Sequence, residues 1–108
     1  MHEIKSHYHK IDKKDVVTFS RYIESANILE VEAGTNGYQG GDSGHGSRTY
    51  IRIEDMGSTD IRVKEIPANL SNGGVEIILG GDCELDTIIR ALKFITKVLE
   101  DQANDVHD

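Results

Sequence analysis

Four segments in the middle of the chain alternate apolar and polar residues with the period of a half-buried β-strand. They cover residues 28–33, 47–54, 59–66 and 74–80. Turn-forming sequences around Gly57 and Gly73 separate the last three segments, and Pro67 ends the third. The simplest arrangement of these segments is a four-stranded antiparallel meander.

The C-terminal quarter of the chain has the pattern of a long amphipathic helix. Asp82 is a suitable N-cap for it. Apolar residues then recur at i, i+3, i+4 and i+7, namely Leu85, Ile88, Ile89, Leu92, Ile95 and Leu99. We expect this stripe to pack on the sheet. Ala91, Phe94 and Val98 widen the apolar arc beyond what one sheet face covers, which predicts a homo-oligomer contact.

The N-terminal quarter has two opposing signals. Residues 1–14 are polar and predict a flexible arm. In residues 15–27, Val16, Phe19 and Ile23 have helical spacing, although the sequence from Val16 to Phe19 is β-prone. The spacing favours a short helix. The predicted fold is therefore α+β: a short N-terminal helix, then the four-stranded meander packed on the long C-terminal helix. A single domain is expected over residues 15–101, followed by a polar tail over 102–108.

Composition limits the classes of function. The chain has 108 residues, a net charge of -7 and one cysteine, Cys83. This acidity disfavours a nucleic acid polymer as the partner, because phosphate backbones are bound by clustered Lys and Arg. No stretch approaches the length of an apolar membrane span, and the first residues lack the apolar run of a signal peptide. We expect a protein of the cytoplasm, with no disulfide within the chain and no membrane contact.

The candidate chemistry lies in a glycine-rich segment. Residues 34–46 hold six of the eleven glycines and join two predicted strands, and connections of this length are typically functional or disordered. Backbone amides of such a loop can bind an anion, a tyrosine can stack on a ring, and Arg48 can grip a phosphate or carboxylate. The predicted ligand-binding residues are Asn36, Tyr38, Gln39, Gly40, Gly41, Asp42, Ser43, His45, Arg48 and Tyr50. A mobile hairpin loop without a ligand is the alternative.

Other motifs are weaker. The tetrapeptide around Ser43 resembles the nucleophile site of trypsin-like proteases, but that fold needs about twice this length and distant His and Asp partners. His7 and His9 lie on one arm and offer no closed ligand set, so no metal, cofactor or catalytic residue is assigned. On the polar face of the sheet, Glu30 and Glu32 are expected to oppose arginines of the next strand.

Two runs of the sequence carry a resemblance. The run LEVEAGTNGYQGGDSGHGSRTY, with the later run LGGDCELDTII, resembles small uncharacterised proteins encoded by phages and prophages of gut Firmicutes. The resemblance covers roughly residues 28–102 and implies context rather than an activity. Small phage proteins of this size are often accessory factors that bind host proteins or defence signals, and several unrelated families sequester nucleotide messengers.

Three functions are consistent with these residues. The first is a non-enzymatic binding protein for a small polar or anionic ligand, such as a nucleotide-type defence signal. The second is a protein-interaction factor that inhibits a host enzyme. The third is a small hydrolase that uses His45 and Asp42 as general base and general acid. The expected partners are accordingly a small anionic molecule or a host protein.

Overall fold

The protein is a two-layer α+β structure, as the sequence pattern predicts. The computed structural model describes residues 3–42, 45–69 and 72–105. Its elements are β1 (Lys5–Ile11), β2 (Lys14–Glu24), β3 (Ile28–Thr35), β4 (Thr49–Gly57), β5 (Ile61–Ile66), β6 (Gly74–Leu79) and α1 (Asp82–Asp105). Strands β1 to β4 form an antiparallel sheet in chain order, β5 and β6 form a separate hairpin, and α1 lies on one face of the larger sheet.

The N-terminal region is a β-hairpin, so the predicted short helix over residues 15–27 is wrong. The segment forms β2, and β1 occupies much of the region expected to be a flexible arm. Asp12 and Lys13 make the two-residue turn between them, both with positive φ (50° and 68°), as tight hairpins require. The physical reason is pairing on both sides, because β2 bonds to β1 and β3 and its β-branched residues suit a central strand.

The predicted pairing across the glycine-rich segment is confirmed. Strands β3 and β4 are antiparallel, with Val31 opposite Ile53 and Glu32 opposite Arg52. The meander does not continue beyond β4, however, so that part of the predicted topology is wrong. Ser58 has a positive φ of 59°, and Thr59 Oγ1 donates to the Ile28 carbonyl over 3.0 Å. These contacts hold the chain at the sheet edge and direct it away into the β5–β6 hairpin.

The long C-terminal helix is present, but it meets the sheet with a different face from the one predicted. Ala91 and Ile95 are buried against the core, while Leu85, Ile89 and Leu92 are 58%, 43% and 51% exposed. Phe94, Val98, Ile88 and Leu99 are partly buried against the core. The expectation that all of the leucine and isoleucine stripe packs on the sheet is therefore wrong for three of its six members.

A buried threonine and a buried alanine explain why the helix meets the sheet with a different face from the predicted one. Thr87 is fully buried, and its hydroxyl donates to Asn27 Oδ1 over 2.6 Å. Ala91, one turn further along, lets the helix backbone approach β3 closely. A hydrophobicity pattern gives no weight to a threonine and little to an alanine, so it places the buried face about a quarter of a turn away.

The overall shape is flat and extended. The radius of gyration is 15.3 Å, compared with about 13 Å for a compact domain of this length. The principal extents of 41 × 41 × 19 Å fit two layers with the β5–β6 hairpin projecting beyond them. Within the described residues, no helix combines the length and the apolarity needed to cross a membrane.

Strands β2 and β3 approach so closely at Gly34 that adding one methyl group there should lower stability. A Cβ on Gly34 would overlap the Val17 carbonyl oxygen and the backbone of Thr18. We expect Gly34→Ala to lower the free energy of unfolding by about 3 kcal/mol, the upper range for overpacking. Gly57→Ala is the matched control, because its Cβ would meet only Ile28 Cδ1 at 3.8 Å. Chemical denaturation that gave equal stabilities for the two variants would contradict this interpretation.

Candidate functional site

The glycine-rich loop over residues 36–48 is closed at its base by one asparagine. Asn36 Oδ1 accepts from the Arg48 amide over 2.7 Å, and the Asn36 amide donates to the Arg48 carbonyl over 3.2 Å. Gln39 Nε2 donates to the Asn36 carbonyl over 2.7 Å. The two bonds between Asn36 and Arg48 add one residue pair to the β3–β4 ladder. The two amide side chains predicted to bind ligand are thus engaged in shaping the loop.

The root of the loop is tied to the end of α1. Thr35 Oγ1 accepts from the Gly37 amide and from Thr49 Oγ1, each over 3.1 Å. Gln102 Oε1 accepts from the Thr35 amide over 2.9 Å, while Gln102 Nε2 donates to the Val17 carbonyl over 2.7 Å. One glutamine therefore fixes the helix against both β3 and β2 where the loop begins.

Glycine is required at defined points in this loop. Gly37 and Gly40 have φ values of 80° and 78°, which favour glycine over other residues. The amides of His45 and Gly46 both donate to the Asp42 carbonyl, which makes a tight turn. A Cβ on Gly46 would overlap the Gly41 carbonyl oxygen. The glycines are accordingly explained in part by backbone geometry, before any ligand is considered.

A cleft of 390 Å³ lies between the loop and the last turns of α1. It is lined by Thr35, Gly37, Tyr38, Ser47, Thr49, Leu99, Glu100, Ala103 and Asn104. The lining combines four hydroxyl groups and the Asn104 amide with the apolar Leu99 and Ala103, and among the described residues its one charged side chain is the acidic Glu100. The Tyr38 side chain is on the cleft wall and is largely exposed, at 66%. Of the nine predicted residues that the structure describes, Tyr38 is the one that lines this cleft.

Two other predicted residues lie on the opposite side of the strand pair. Arg48 is only 15% exposed, and its Nε donates to Asp12 Oδ2 over 2.8 Å. Its Nη1 donates to the carbonyls of Gly46 and Ser47 over 3.2 and 3.1 Å. Tyr50 stacks on His9 with ring centroids 4.4 Å apart. The guanidinium therefore holds the loop to the β1–β2 turn instead of facing the cleft.

The remaining predicted residues form the loop tip or its frame. Gly40, Gly41, Asp42 and His45 are exposed, and Ser43 lies outside the described residues. The expected carboxylate–arginine pairing across β3 and β4 holds for Arg52, which contacts Glu30 Oε1 at 3.5 Å and Glu54 Oε1 at 2.6 Å.

A buried carboxylate on the polar face of the sheet was not predicted as a site. Glu32 is 6% exposed, and its Oε2 accepts from Thr18 Oγ1 over 2.5 Å and from His9 Nε2 over 2.6 Å. His7 Nε2 and Ser20 Oγ are hydrogen-bonded over 2.7 Å nearby. The sequence signal was the alternation of His7 and His9, but only the pairing of β1 with β2 brings these imidazoles over Glu32.

The electrostatics of this cluster favour the ionised carboxylate. Burial opposes ionisation, but the hydrogen bonds from Thr18 and His9, with the charge of nearby His7, hold the pKa of Glu32 below its ordinary value. Ser20 is 2% exposed, so its hydroxyl is closed to a substrate despite its imidazole partner. Across the described residues, no group of three or more His, Cys, Asp or Glu side chains could hold a metal ion.

Comparisons with known proteins add no constraint to this geometry. No protein-family model, curated protein or solved structure matches the chain. The assignment of a function therefore depends on the clefts, contacts and charges of the described residues.

The buried carboxylate predicts a specific pH dependence. We expect Glu32→Gln to lower the free energy of unfolding by about 1–3 kcal/mol at neutral pH, because hydrogen bonds to a charged acceptor are weakened. The folded-state pKa lies below the ordinary 4.5, so this stabilisation is complete above pH 4.5 and is lost as the pH falls through the folded-state pKa. The stabilities of wild type and variant should converge on acidification.

Glu54→Gln is the control for this measurement, because Glu54 lies on the same face but is 45% exposed. Its removal should change stability by less than about 1 kcal/mol. Denaturation curves recorded along a pH series would show the difference. A Glu32→Gln variant as stable as wild type at neutral pH would refute the structural role of the cluster.

Proposed function

We propose that the protein binds a small polar ligand of nucleotide type in the cleft between the glycine-rich loop and the end of α1, without transforming it. The observation that carries this proposal is the exposed Tyr38 ring on the wall of a hydroxyl-lined cleft. The cleft volume of 390 Å³ is within the range of small-molecule sites, about 300–1,000 Å³. An aromatic ring beside hydroxyl and amide groups suits a base or nicotinamide ring attached to a ribose.

The walls of the cleft are fixed by hydrogen bonds within the chain, so the cleft is formed before any ligand binds. Asn36 closes the loop base, and Gln102 fixes the helix against β2 and β3. A site ordered in advance loses less conformational entropy when the ligand binds. Thr49 Oγ1 donates to Thr35 and keeps both lone pairs, so it can accept from a ribose hydroxyl, whereas Thr35 Oγ1 already accepts two hydrogen bonds and can only donate to the ligand.

The charge of the cleft bears on which part of a nucleotide would lie there. Glu100 disfavours a phosphate in the same cavity, so the neutral ring and ribose are assigned to it. Arg48 lies on the opposite side of the strand pair and is only 15% exposed, so a phosphate attached to this ribose would be bound by loop amides. Arg48 would take part only if the ligand extends around the loop and replaces Asp12, whose side chain is 69% exposed.

The resemblance of two runs of the sequence to uncharacterised phage-encoded proteins is the reason to test defence signals first, in particular cyclic dinucleotides and ADP-ribose derivatives. Sequestration needs affinity and no chemistry, which agrees with a cleft lined by hydroxyl groups, an amide, two apolar side chains and one carboxylate. The hydrolase hypothesis has less support, since His45 and Asp42 are connected by a backbone contact and both side chains are exposed.

The stacking role of Tyr38 gives the first test. Tyr38→Ala should weaken binding of any nucleotide that the wild type binds by about 1–3 kcal/mol, the usual contribution of one stacked base. Tyr38→Phe should retain most of the affinity. Tyr8→Ala serves as the control, because Tyr8 is similarly exposed but lies on β1, away from the cleft. Calorimetric titration with cyclic dinucleotides and ADP-ribose derivatives measures the affinity of the wild type and of each variant. Absence of binding by the wild type would overturn the proposal.

A pair of substitutions tests Arg48 as the anion-binding group. Arg48→Ala should weaken binding of a phosphate-bearing ligand by about 2–5 kcal/mol. Asp12→Asn should strengthen the same binding, since it releases the guanidinium and Asn tolerates the positive φ of this turn. If Arg48 has only a structural role, Arg48→Ala will lower the unfolding temperature, and Asp12→Asn will leave the affinity unchanged.

A further inference from the structure

The β5–β6 hairpin presents an apolar face that the other described residues leave largely uncovered. Cross-strand pairing places five aliphatic residues on one side of it, namely Ile61, Val63, Val75, Ile77 and Leu79. Val63 and Val75 are 62% and 60% exposed, and Ile77 is also exposed. An isolated two-stranded hairpin is marginally stable in water, so a hairpin with an uncovered apolar face needs a partner surface.

A second uncovered apolar surface runs along the N-terminal half of α1. Leu85, Ile89 and Leu92 follow one another at helical spacing on the side of α1 turned away from β2. The opposite side of the helix faces β2, where Arg90 Nη2 donates to the Glu24 carbonyl over 2.8 Å. On β4, Ile51 belongs to the helix-facing side of the sheet but is 55% exposed. The single helix covers β3 and β2 and leaves this side open.

The hairpin is nevertheless held firmly at its root. Glu84, in the first turn of α1, accepts through Oε2 from the Asp60 amide over 3.1 Å, and the Gly80 amide donates to the Asp60 carbonyl over 3.1 Å. The hydrogen bond from the Asp60 amide, together with the Asn27 side chain, lowers the pKa of Glu84, so the carboxylate stays charged at this root. These bonds fix the orientation of the β5–β6 hairpin, although the described residues leave its apolar face exposed.

We infer that the protein is a two-fold symmetric homodimer in which the β5–β6 hairpin of each copy packs its apolar face on the Leu85–Ile89–Leu92 stripe of the other. In a two-fold symmetric dimer, each contact of the hairpin of one copy with the helix of the other is made twice. Both apolar surfaces of each chain are therefore covered at once. The hairpin ends three residues before α1 begins, so the two surfaces are neighbours along the chain and one second copy can contact both.

The exposed apolar area supports an occupant of this size. Seven half-exposed aliphatic side chains belong to the two surfaces and the adjoining β4 side: Ile51, Val63, Val75, Ile77, Leu85, Ile89 and Leu92. Together they approach the area that a stable dimer buries, about 800 Å² per partner. This inference uses other residues than the proposed ligand cleft, which lies at the opposite end of α1, so either can fail alone.

The test combines one substitution on each surface with a control. Leu92→Glu on the helix and Ile77→Glu on the hairpin should each raise the dimer dissociation constant about 30-fold or more, as for loss of a hot-spot residue. Both side chains are exposed within one copy, so the fold of the monomer should persist by circular dichroism. Lys93→Glu, on the β2-facing side of the same helix, should leave the dimer intact. Sedimentation velocity over the micromolar range measures each dissociation constant.

Hydrogen exchange distinguishes this interface from any other dimer. In the wild type, the β5 and β6 amides should be protected as protein concentration rises, and Leu92→Glu should remove that protection although it lies on the helix. A wild-type monomer throughout the micromolar range would overturn the inference and favour a heterologous partner for the hairpin. A dimer that survives both substitutions, or hairpin amides indifferent to Leu92→Glu, would equally overturn it.

Discussion

Burial of β3 on both faces is the constraint on which the rest of the structure depends. One face carries Leu29, Val31 and Ala33 into the core under α1. Glu32 and Gly34 lie on the other face of the sheet, away from the helix, where the His9 side chain reaches Glu32. A strand buried on both sides must satisfy any polar side chain it places inside, which is why the Glu32 carboxylate is bonded by a threonine and a histidine. The same close packing leaves no room for a side chain at Gly34.

The double burial of β3 also determines where the glycine-rich loop can act. The loop leaves β3 at Thr35, and its residues divide between the helix-covered face of the sheet and the opposite face. Tyr38 lies on the helix side, and Arg48 lies on the side of Asp12. A loop with fewer glycines could not make the tight Asp42–Gly46 turn between these surroundings. The loop therefore has two chemically different sides: the hydroxyl groups of Tyr38 and Ser47 face the cleft, and the Arg48 guanidinium lies on the opposite side.

The sequence was sufficient for the β3–β4 register, the two later strands and the long helix, because strong periodicity determines these. It was insufficient for β1 and β2, whose turn at Asp12 and Lys13 contains no glycine and whose strand residues also have helical spacing. The helix orientation was missed because Thr87 is buried by a hydrogen bond, which hydrophobicity does not register. For the site, the loop was identified, but the cleft wall from α1 and the Glu32 cluster require tertiary contacts between residues far apart in the chain.

The two hydrogen bonds of Gln102 have a consequence for the order in which the molecule assembles. They join residues 67 and 85 positions apart, so they can form only after β2, β3 and the whole of α1 are in place. Contacts at such long sequence separation form late in folding because the loop entropy must be overcome first. The mouth of the cleft can therefore be completed only once the helix has docked on the sheet. By the same reasoning, fraying of the final helical turn opens the cleft while the sheet remains intact.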